Sequence, residues 1–425
     1  MNSDASKAMV KDAALAFAAV VGQEHVRPAT AEDSVDGVAV SSVIEPGSPT
    51  EIAQVLQAAS GAGFSVLPRG AGTKLEWGAP PRRADVVLSF RRLNRVLEHA
   101  WADMTVAVDP GCTVAELQKA VAVHGQRLAL DPLWPERATI GGILATNDSG
   151  SLRVRFGSLR DLVIGVTMAL PDGTLAKSGG KVVKNVAGYD LPKLVIGSLG
   201  TLGVITETIF RLHPLPRVTR TVSFAGNVGS LCSLLLAVTN SHLSFTGLQL
   251  RTTSGSDSHL DVRFEGTSEG IEAQLTHLRS IAKDESFVEV DDVWSERERM
   301  FRDRCEKTLI VKVSTLPANF ATLISLVQNT GKSSEMEWRL VAHASGTGWL
   351  RVDTAQSDLC AILESLRQGL QMMQSTAVVQ HCPVVIKRNL DVWGPVGDAL
   401  ELMRTVKKQF DPSGTLNPGR FVGGI

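Results

Sequence analysis

The sequence predicts an α+β protein with two main domains, and three observations indicate this class. Between residues 36 and 217, capped helices alternate with short strands, as in layered α+β folds. Between residues 218 and 394, two similar strand–turn–strand–helix units predict a sheet with helices on one face, as in a ferredoxin-like domain. Residues 395–425 predict a helix, around 395–409, and a turn-rich tail, whereas residues 1–35 predict a first helix and an irregular leader.

Composition excludes several classes of protein. The chain has 425 residues, with 44% hydrophobic residues, 20% charged residues and a formal net charge of −1, which is typical of a soluble globular protein. It has no long basic tract or overall positive charge of the kind that nucleic-acid-binding proteins carry. No apolar run approaches the ~18 residues of a membrane span. Charged residues argue against a secretory signal at the N-terminus: Asp4, Lys7, Lys11 and Asp12.

Cysteine and histidine spacing excludes two kinds of metal site. The five cysteines are scattered, without a C-x-x-C pair, which favours reduced thiols in the cytosol and excludes an iron–sulfur cluster held by this chain alone. The nine histidines include no H-x-x-x-H pair, so a zincin-type site is also excluded.

The first domain opens with a helix that leads into a glycine-rich loop. Residues 48–51, SPTE, form a capping box with proline at the first helical position, and Gly61 and Gly63 end the helix. The run 64–67 predicts a strand, and the loop 68–74, PRGAGTK, follows it directly. Such glycines let the backbone turn with φ > 0 and leave N–H groups free to face an anion. The loop therefore predicts a phosphate cradle, with a tight surface turn as the alternative.

Two common phosphate motifs do not fit this loop. A Walker loop needs GxxxxGK[ST], which is absent, and a dinucleotide fingerprint needs a third glycine where Leu75 stands. That fingerprint also opens a helix, but EWGAPP at 76–81 breaks one, and residues 86–88 predict a second strand. The pattern is a strand–loop–strand cradle, different from a Rossmann or P-loop site.

The rest of the first domain alternates regular elements with segments of small residues. A strand at 104–108 ends at the turn 109–111, and a capping box at 113–116 begins a helix that runs to about His124. Residues 131–157 are rich in small residues where a core strand or helix would need volume, which predicts either close backbone approach to a flat ring system or a glycine-rich connection between layers. A strand at 163–170 follows.

Four motifs, in this order, resemble the FAD-binding domain of the vanillyl-alcohol oxidase (VAO) type, also called the p-cresol methylhydroxylase (PCMH) type. They are RGAGT at 69–73, TIGG at 139–142 with NDSG at 147–150, GSLGTLGVI at 197–205 and NPG at 417–419. The resemblance covers about residues 36–217, and the tail adds to it. It implies an FAD-binding domain of two subdomains, a cap domain at 218–394, and a C-terminal helix and tail, 395–425, that pack on the FAD domain.

Within this family, the segment KNVAGYDL at 184–191 is most similar to glycolate oxidase and related 2-hydroxy-acid dehydrogenases. Leu199 stands where the catalytic subunit commonly has glutamate, and in this the chain resembles the second FAD-binding subunit of glycolate oxidase, the E subunit.

The resemblance also implies where the cofactor binds. Backbone amides of residues 69–73 would hold the FAD pyrophosphate, and residues 139–142 and 145–150 would line the pyrophosphate and the isoalloxazine. Val204 and Ile205 would pair by main chain with the adenosine end. Some relatives bond the flavin covalently to a histidine in the first loop, and Thr73 stands there instead, which implies non-covalent FAD. The residues expected to contact FAD are Pro68, Arg69, Gly70, Ala71, Gly72, Thr73, Thr139, Ile140, Gly141, Gly142, Ala145, Thr146, Asn147, Gly150, Arg155, Gly203, Val204, Ile205 and Asn417.

The second domain departs from the hydroxy-acid dehydrogenases of this family, which carry a metal-binding HxGDGNxH strand. The most similar segment here, HASGTGWLR at 343–351, keeps only the first histidine. A divalent metal needs several hard oxygen or imidazole ligands, so no metal site is expected.

Oxidation of a 2-hydroxy acid needs a cation for the carboxylate, a base for the hydroxyl and a flavin to accept the hydride. Arg388 is the candidate for the carboxylate, with a solvated arginine at a strand end as the alternative. His343 and His381 are candidate bases, although apolar strands also carry core or surface histidines. Lys184 is a candidate to face the flavin or a phosphate, or to pair with Asp190. The catalytic residue stays unassigned.

Two functions follow from the resemblance. In the first, the chain is an FAD-binding subunit of a glycolate or 2-hydroxy-acid dehydrogenase complex, which relays electrons or supports assembly beside a catalytic flavin subunit and an iron–sulfur subunit. In the second, it is a stand-alone FAD-dependent oxidoreductase of a hydroxy acid or alcohol. Its expected location is the cytoplasm, or the inner membrane surface through partners. No nucleic acid and no direct membrane insertion are expected.

Overall fold

The computed structural model describes residues 15–181, 190–255, 257–283, 285–334, 336–354 and 358–425. The chain divides into two compact units. Unit 1 comprises Met1–Asp148, Ser158–Pro214 and Pro395–Ile425, and unit 2 comprises Ser149–Gly157 and Leu215–Gly394. Both units combine helices with sheets, so the α+β class is confirmed.

The strands of unit 1 are β1 (Val26–Pro28), β2 (Ser42–Ile44), β3 (Val66–Arg69), β4 (Val86–Ser89), β5 (Val96–Ala100), β6 (Thr105–Val108), β7 (Gln126–Arg127), β8 (Val163–Ala169), β9 (Leu175–Gly179), β10 (Val204–Arg211) and β11 (His213–Pro214). They form a four-stranded sheet, β1-β2-β4-β3, an antiparallel five-stranded sheet, β5-β6-β10-β8-β9, and the pair β11-β7. In the first sheet β2 and β3 both run parallel to β4.

The main helices of unit 1 are α1 (Pro49–Gly61), α2 (Val114–Ala122), α3 (Ile140–Thr146), α5 (Leu159–Leu162), α6 (Leu191–Val195) and α13 (Leu400–Phe410). Those of unit 2 are α4 (Arg153–Phe156), α7 (Val228–Thr239), α8 (Ser268–Ala282), α9 (Glu296–Arg299), α10 (Phe320–Ser334), α11 (Leu359–Met372) and α12 (Val384–Lys387).

Helix α1 connects β2 to β3, the strand that leads into the glycine loop. Its N-cap is formed, because the Ser48 hydroxyl accepts from the N–H of Glu51 at 3.1 Å. The reciprocal bond of the predicted capping box is replaced by one from the N–H of Gly47 to the Glu51 carboxylate at 2.7 Å. The apolar face of α1 is buried against the strands, with Ile52 and Leu56 both fully buried beside Val66 of β3. This hydrophobic contact fixes β3, and therefore the position at which the loop begins. The predicted helix and strand are confirmed.

A helix lies where small residues had favoured an irregular segment. Helix α3 begins at Thr139, whose hydroxyl accepts from the N–H of Gly142 at 3.3 Å. Gly141 donates its N–H to the carbonyl of Pro110 at 2.7 Å, and a Cβ on Gly141 would lie only 3.0 Å from the Pro110 side chain. The small residues therefore allow helix and turn to pack closely together.

Unit 2 is built on one antiparallel eight-stranded sheet. Its strands are β12 (Val218–Ala225), β13 (Phe245–Thr253), β14 (Ser258–Gly266), β15 (Phe287–Glu289), β16 (Thr308–Ser314), β17 (Met336–His343), β18 (Thr347–Thr354) and β19 (Thr376–His381), in the order β15-β12-β14-β13-β17-β18-β16-β19. The two predicted repeats are the hairpins β13–β14 and β17–β18 with helices α8 and α11. The hairpins are adjacent, with Gln249 opposite His343. Segment Ser149–Gly157 belongs to this unit, since α4 contacts β13.

Candidate functional site

The predicted phosphate cradle is a loop with unused backbone donors. After β3, the amide N–H groups of Gly70, Ala71, Gly72 and Thr73 donate no hydrogen bond within the described part of the chain. Gly72 has φ +76°, a conformation that glycine adopts without strain. Consecutive free amides in a turn form an anion-binding concavity, so this loop fits a pyrophosphate.

Gly70 lies against the start of α3, which joins two of the predicted motifs. A Cβ built on Gly70 would lie 2.0 Å from the hydroxyl oxygen of Thr139, far closer than any real contact. The loop and the helix therefore meet without room for a side chain at this position. Gly70 allows this contact, and the backbone of the loop faces the groove beside it.

Arg69 is held by an acid rather than left free for a ligand. Its guanidinium group lies 2.9 Å from the carboxylate of Asp33, which Arg27 also contacts at 2.7 Å. Asp33 is buried, and its hydrogen bond from Arg27, with further bonds from Thr30 and Arg69, holds the pKa of its carboxyl well below the usual range. The cradle therefore contributes its backbone amides, while the arginine anchors the loop to the leader segment.

Most of the predicted cofactor residues converge on one groove of unit 1. It is lined by Pro68, Arg69, Gly70, Ala71, Gly72, Thr73, Thr139, Gly141, Gly142, Ala145, Thr146, Gly203, Val204, Ile205 and Asn417. The predicted cofactor residues did not include eight further lining residues: Lys74, Leu75, Phe90, Pro110, Ser198, Leu199, Gly200 and Arg420. Gly200 has φ +67°. The regular spacing of the glycines in the segment 197–205 is the sequence signal from which it could have been predicted as a lining residue.

Four of the predicted residues are not among those that line this groove. Ile140 is fully buried in the hydrophobic core below α3. Asn147 ends α3 with φ +48°, and its buried side-chain oxygen has no hydrogen-bond partner. Gly150 and Arg155 belong to the segment that groups with unit 2.

Val204 and Ile205 lie at the start of β10, with an unpaired edge. On one side they pair with Ala169 and Met168 of β8. On the other side β6 pairs with β10 only from Thr208 onward. The main chain at 204–205 is therefore suited to pair with a ligand, as the resemblance implies.

The C-terminal tail closes the groove. The carbonyl of Thr415 accepts from the N–H of Val66 at 2.7 Å, and Asn417 donates back to Val66 at 3.0 Å, so the tail lies along β3. The Asn417 side-chain amide donates to the carbonyl of Leu199 at 2.6 Å, and its buried side-chain oxygen has no hydrogen-bond partner in the described part of the chain. That oxygen is an acceptor inside the groove.

Arg420 attaches the tail to the glycine loop. Its buried guanidinium group donates to the carbonyls of Leu75 and Trp77, the latter at 2.7 Å. Burial lowers the pKa of this side chain to about 10, which leaves it charged at neutral pH. One residue of the tail therefore fixes the turn that follows the cradle.

The second-domain candidates occupy different environments. His343, at the end of β17, is buried, and burial, with the nearby Arg297 and Arg263, lowers its pKa to about 3, so it is neutral at neutral pH. Its Nδ1 has no hydrogen-bond partner among the residues that the structure describes. The Arg304 guanidinium group donates to Nδ1 of His381 at 3.0 Å. Arg388 is exposed after α12, and Lys184 lies outside the described residues.

The surroundings of His343 are cationic and aromatic. Its ring lies 5.2 Å from that of Trp349, and the Arg297 guanidinium group lies 4.6 Å from the same tryptophan. The buried Nε1 of Trp349 and the hydroxyl of Ser345 have no partner. Among the described residues, no group of three His, Cys, Asp or Glu side chains is arranged to hold a metal ion.

Two family models match this chain. Residues 40–179 match the model described as "FAD binding domain", and residues 394–421 match "FAD linked oxidases, C-terminal domain". The chain therefore contains an FAD-binding domain and a C-terminal segment of the type found in FAD-linked oxidases. The two matches cover the cradle, α3 and the tail, so the predicted cofactor, FAD, is confirmed.

Relatives match this chain along most of its length. It is 26% identical over 418 residues to "Glycolate oxidase subunit GlcD" of Bacillus subtilis (strain 168), covering 89% of this chain and 88% of that one. It is 26% identical over 421 residues to the mitochondrial D-lactate dehydrogenase (cytochrome) of Arabidopsis thaliana, covering 89% and 73%.

The fold of this chain resembles a solved structure of the predicted type. Its structure matches p-cresol methylhydroxylase with substrate bound at a TM-score of 0.76 and 14% identity, over 97% of this chain and 96% of that one. The predicted PCMH/VAO-type fold is confirmed. In the described part of the chain, no helix has both the length and the apolarity to cross a membrane.

Proposed function

We propose that this chain is an FAD-binding subunit of a glycolate or 2-hydroxy-acid dehydrogenase complex. It would relay electrons or support assembly beside a catalytic flavin subunit and an iron–sulfur subunit, in the cytoplasm or at the inner membrane surface through its partners. The similarity to a chain named as a glycolate oxidase subunit supports this proposal.

The environment of His343 is the observation that carries the proposal. Two guanidinium groups, those of Arg297 and Arg263, lie close enough to lower the pKa of this histidine. A divalent metal beside them would be repelled, because like charges at short range in a buried site interact strongly. Gly346, Gly348 and Leu350 stand where the HxGDGNxH motif has its aspartate, asparagine and second histidine, and they supply no side-chain metal ligand. We infer that this chain does not orient a substrate hydroxyl through a metal.

The bound flavin would accept two electrons and a proton at its ring system. The chain's own part is to hold it: the amides of residues 70–73 bind the pyrophosphate, Val204 and Ile205 pair with the adenosine end, and Asn417 offers an acceptor in the groove. Thr73 stands where some relatives have a histidine, and its side chain lacks the nucleophilic ring nitrogen that would bond the flavin covalently. FAD is therefore expected to dissociate on denaturation.

A stand-alone FAD-dependent oxidoreductase of a hydroxy acid or alcohol is the second candidate. The complete eight-stranded sheet of unit 2 favours it, as does the neutral His343, whose Nδ1 is free to accept a hydrogen bond. A pKa of about 3 makes this histidine a poor base, which favours the first candidate.

Reduction of the flavin by substrate distinguishes the two candidates. The chain is purified alone, its flavin absorbance is confirmed, and D- and L-2-hydroxy acids are added with an artificial electron acceptor. We expect the flavin to stay oxidised until a catalytic flavin subunit is added. Rapid bleaching by a hydroxy acid without any partner would refute the subunit assignment and support the stand-alone enzyme.

A further inference from the structure

Lys74 is a buried cation directly after the cradle. Its side chain is 4% exposed, and its ammonium group lies 3.3 Å from the carbonyl of Leu133 and 3.3 Å from the carboxylate of Asp148. The same carboxylate oxygen accepts from the N–H of Leu133 at 2.9 Å. A buried charge is tolerated only when such partners replace water, so this cluster holds its members in one arrangement.

Two tryptophans complete the surroundings of Lys74. The ammonium group lies 5.3 Å from the ring centre of Trp134 and 5.8 Å from that of Trp77. Cations are attracted to aromatic faces at such distances. Trp134 has φ +55°, which is strained for a bulky residue and persists only where neighbouring contacts hold it.

The partners of Lys74 in the small-residue stretch lie on both sides of α3. Leu133 and Trp134 precede this helix, and Asp148 follows its end, where its N–H donates to the carbonyl of Ile143 at 3.0 Å. One side chain therefore connects the glycine loop to the segments before and after α3. Because these connections all lie in unit 1, they bear directly on the shape of the groove.

We propose that Lys74 is the positioning residue of the FAD cradle. Its bonds to Leu133 and Asp148 hold the loop in the conformation in which the amides of residues 70–73 point together at the pyrophosphate. This inference rests on the proposed placement of the pyrophosphate in that loop. Preorganised donors bind an anion more tightly than donors that must first be ordered.

Flavin affinity of the apoprotein tests the inference. K74M removes the charge and keeps the length, and we expect its dissociation constant for FAD to rise about tenfold to a hundredfold, the effect of losing hydrogen bonds to a charged group. K387M is the matched control, because Lys387 is equally buried but lies in unit 2. It should lower stability without changing FAD affinity. K74R, which keeps the charge, should restore much of the affinity.

Asp148 provides a second variant if K74M does not fold. D148N should also weaken FAD binding, and K74M/D148N should bind no more weakly than the poorer single variant, since both changes break one cluster. An unchanged FAD dissociation constant in K74M or D148N, or additive losses in the double variant, would overturn the inference. If G70A also leaves binding unchanged, the placement of the pyrophosphate is wrong instead.

Discussion

Replacing Gly70 by alanine tests how closely the cradle and α3 must approach each other. The new Cβ would lie 2.0 Å from the Thr139 hydroxyl and 3.0 Å from its Cβ, so one of the two segments must move by more than an ångström. If Thr139 turns away, the N-cap of α3 is lost, at a cost of about 1 kcal/mol. Forced overpacking adds about 1–3 kcal/mol.

These costs fall mainly on the FAD-bound state. Without FAD the loop can relax, because residues 70–73 are at least partly exposed, whereas the bound pyrophosphate requires the original geometry. We therefore expect G70A to weaken FAD binding by about 2–4 kcal/mol, which is roughly 30-fold to 700-fold. G72A meets nothing closer than 3.4 Å and adds only left-handed backbone strain, about 1–2 kcal/mol.

A double-variant cycle identifies the cause of the loss. T139A removes the clashing oxygen at the cost of the cap, so G70A should do less harm in a T139A background than alone. The assay is titration of the apoprotein with FAD, followed by flavin absorbance and fluorescence. If G70A costs the same affinity in both backgrounds, or if G72A costs more than G70A, then contact with Thr139 is not what requires a glycine.

Three further predictions concern the tail, the anchoring acid and the buried histidine. R420M should lower the free energy of unfolding of unit 1 by about 2–4 kcal/mol, measured by denaturant titration, because two buried carbonyls lose a charged donor. Since the folded pKa of Asp33 is depressed, its ion pairs stabilise the fold above about pH 4 and are lost as pH falls further; D33N should abolish this acid sensitivity in unfolding experiments. Since the folded pKa of His343 is about 3, stability should fall as pH drops below about 6.5, by up to about 1.4 kcal/mol per pH unit, and H343Q should flatten that slope between pH 7 and 5.

Local sequence signals predicted the elements whose causes are local. The Ser48 N-cap and the apolar face of α1 are complete within one helix, so the helix and its boundary were predictable. The glycines of the cradle were equally informative in the sequence, because a backbone φ of +76°, as at Gly72, strongly favours glycine. The two hairpins of unit 2 repeat a pattern of alternating residues and were recognised from it.

Features that depend on distant contacts were not predictable in the same way. Helix α3 has two glycines in its first turn, which lower helix propensity, and it forms because Gly141 packs on Pro110. Arg69 resembles a phosphate ligand in sequence, yet its guanidinium group forms an ion pair with Asp33, a residue distant in the chain. Lys74 and Arg420 carry no motif that marks them, since their partners are carbonyls and an acid from other segments.

The groove is therefore completed by residues from the far end of the chain. Lys407 of α13 donates to the carbonyls of Thr201, at 2.8 Å, and of Leu416, at 3.0 Å, and it pairs with Asp411 at 2.6 Å. Asp411 in turn accepts from the N–H groups at 415 and 416. Because these bonds fix the tail beside both β3 and the 197–205 segment, the tail and the cradle are parts of one structure. If FAD binds in the cradle as proposed, its binding therefore depends on residues near both ends of unit 1.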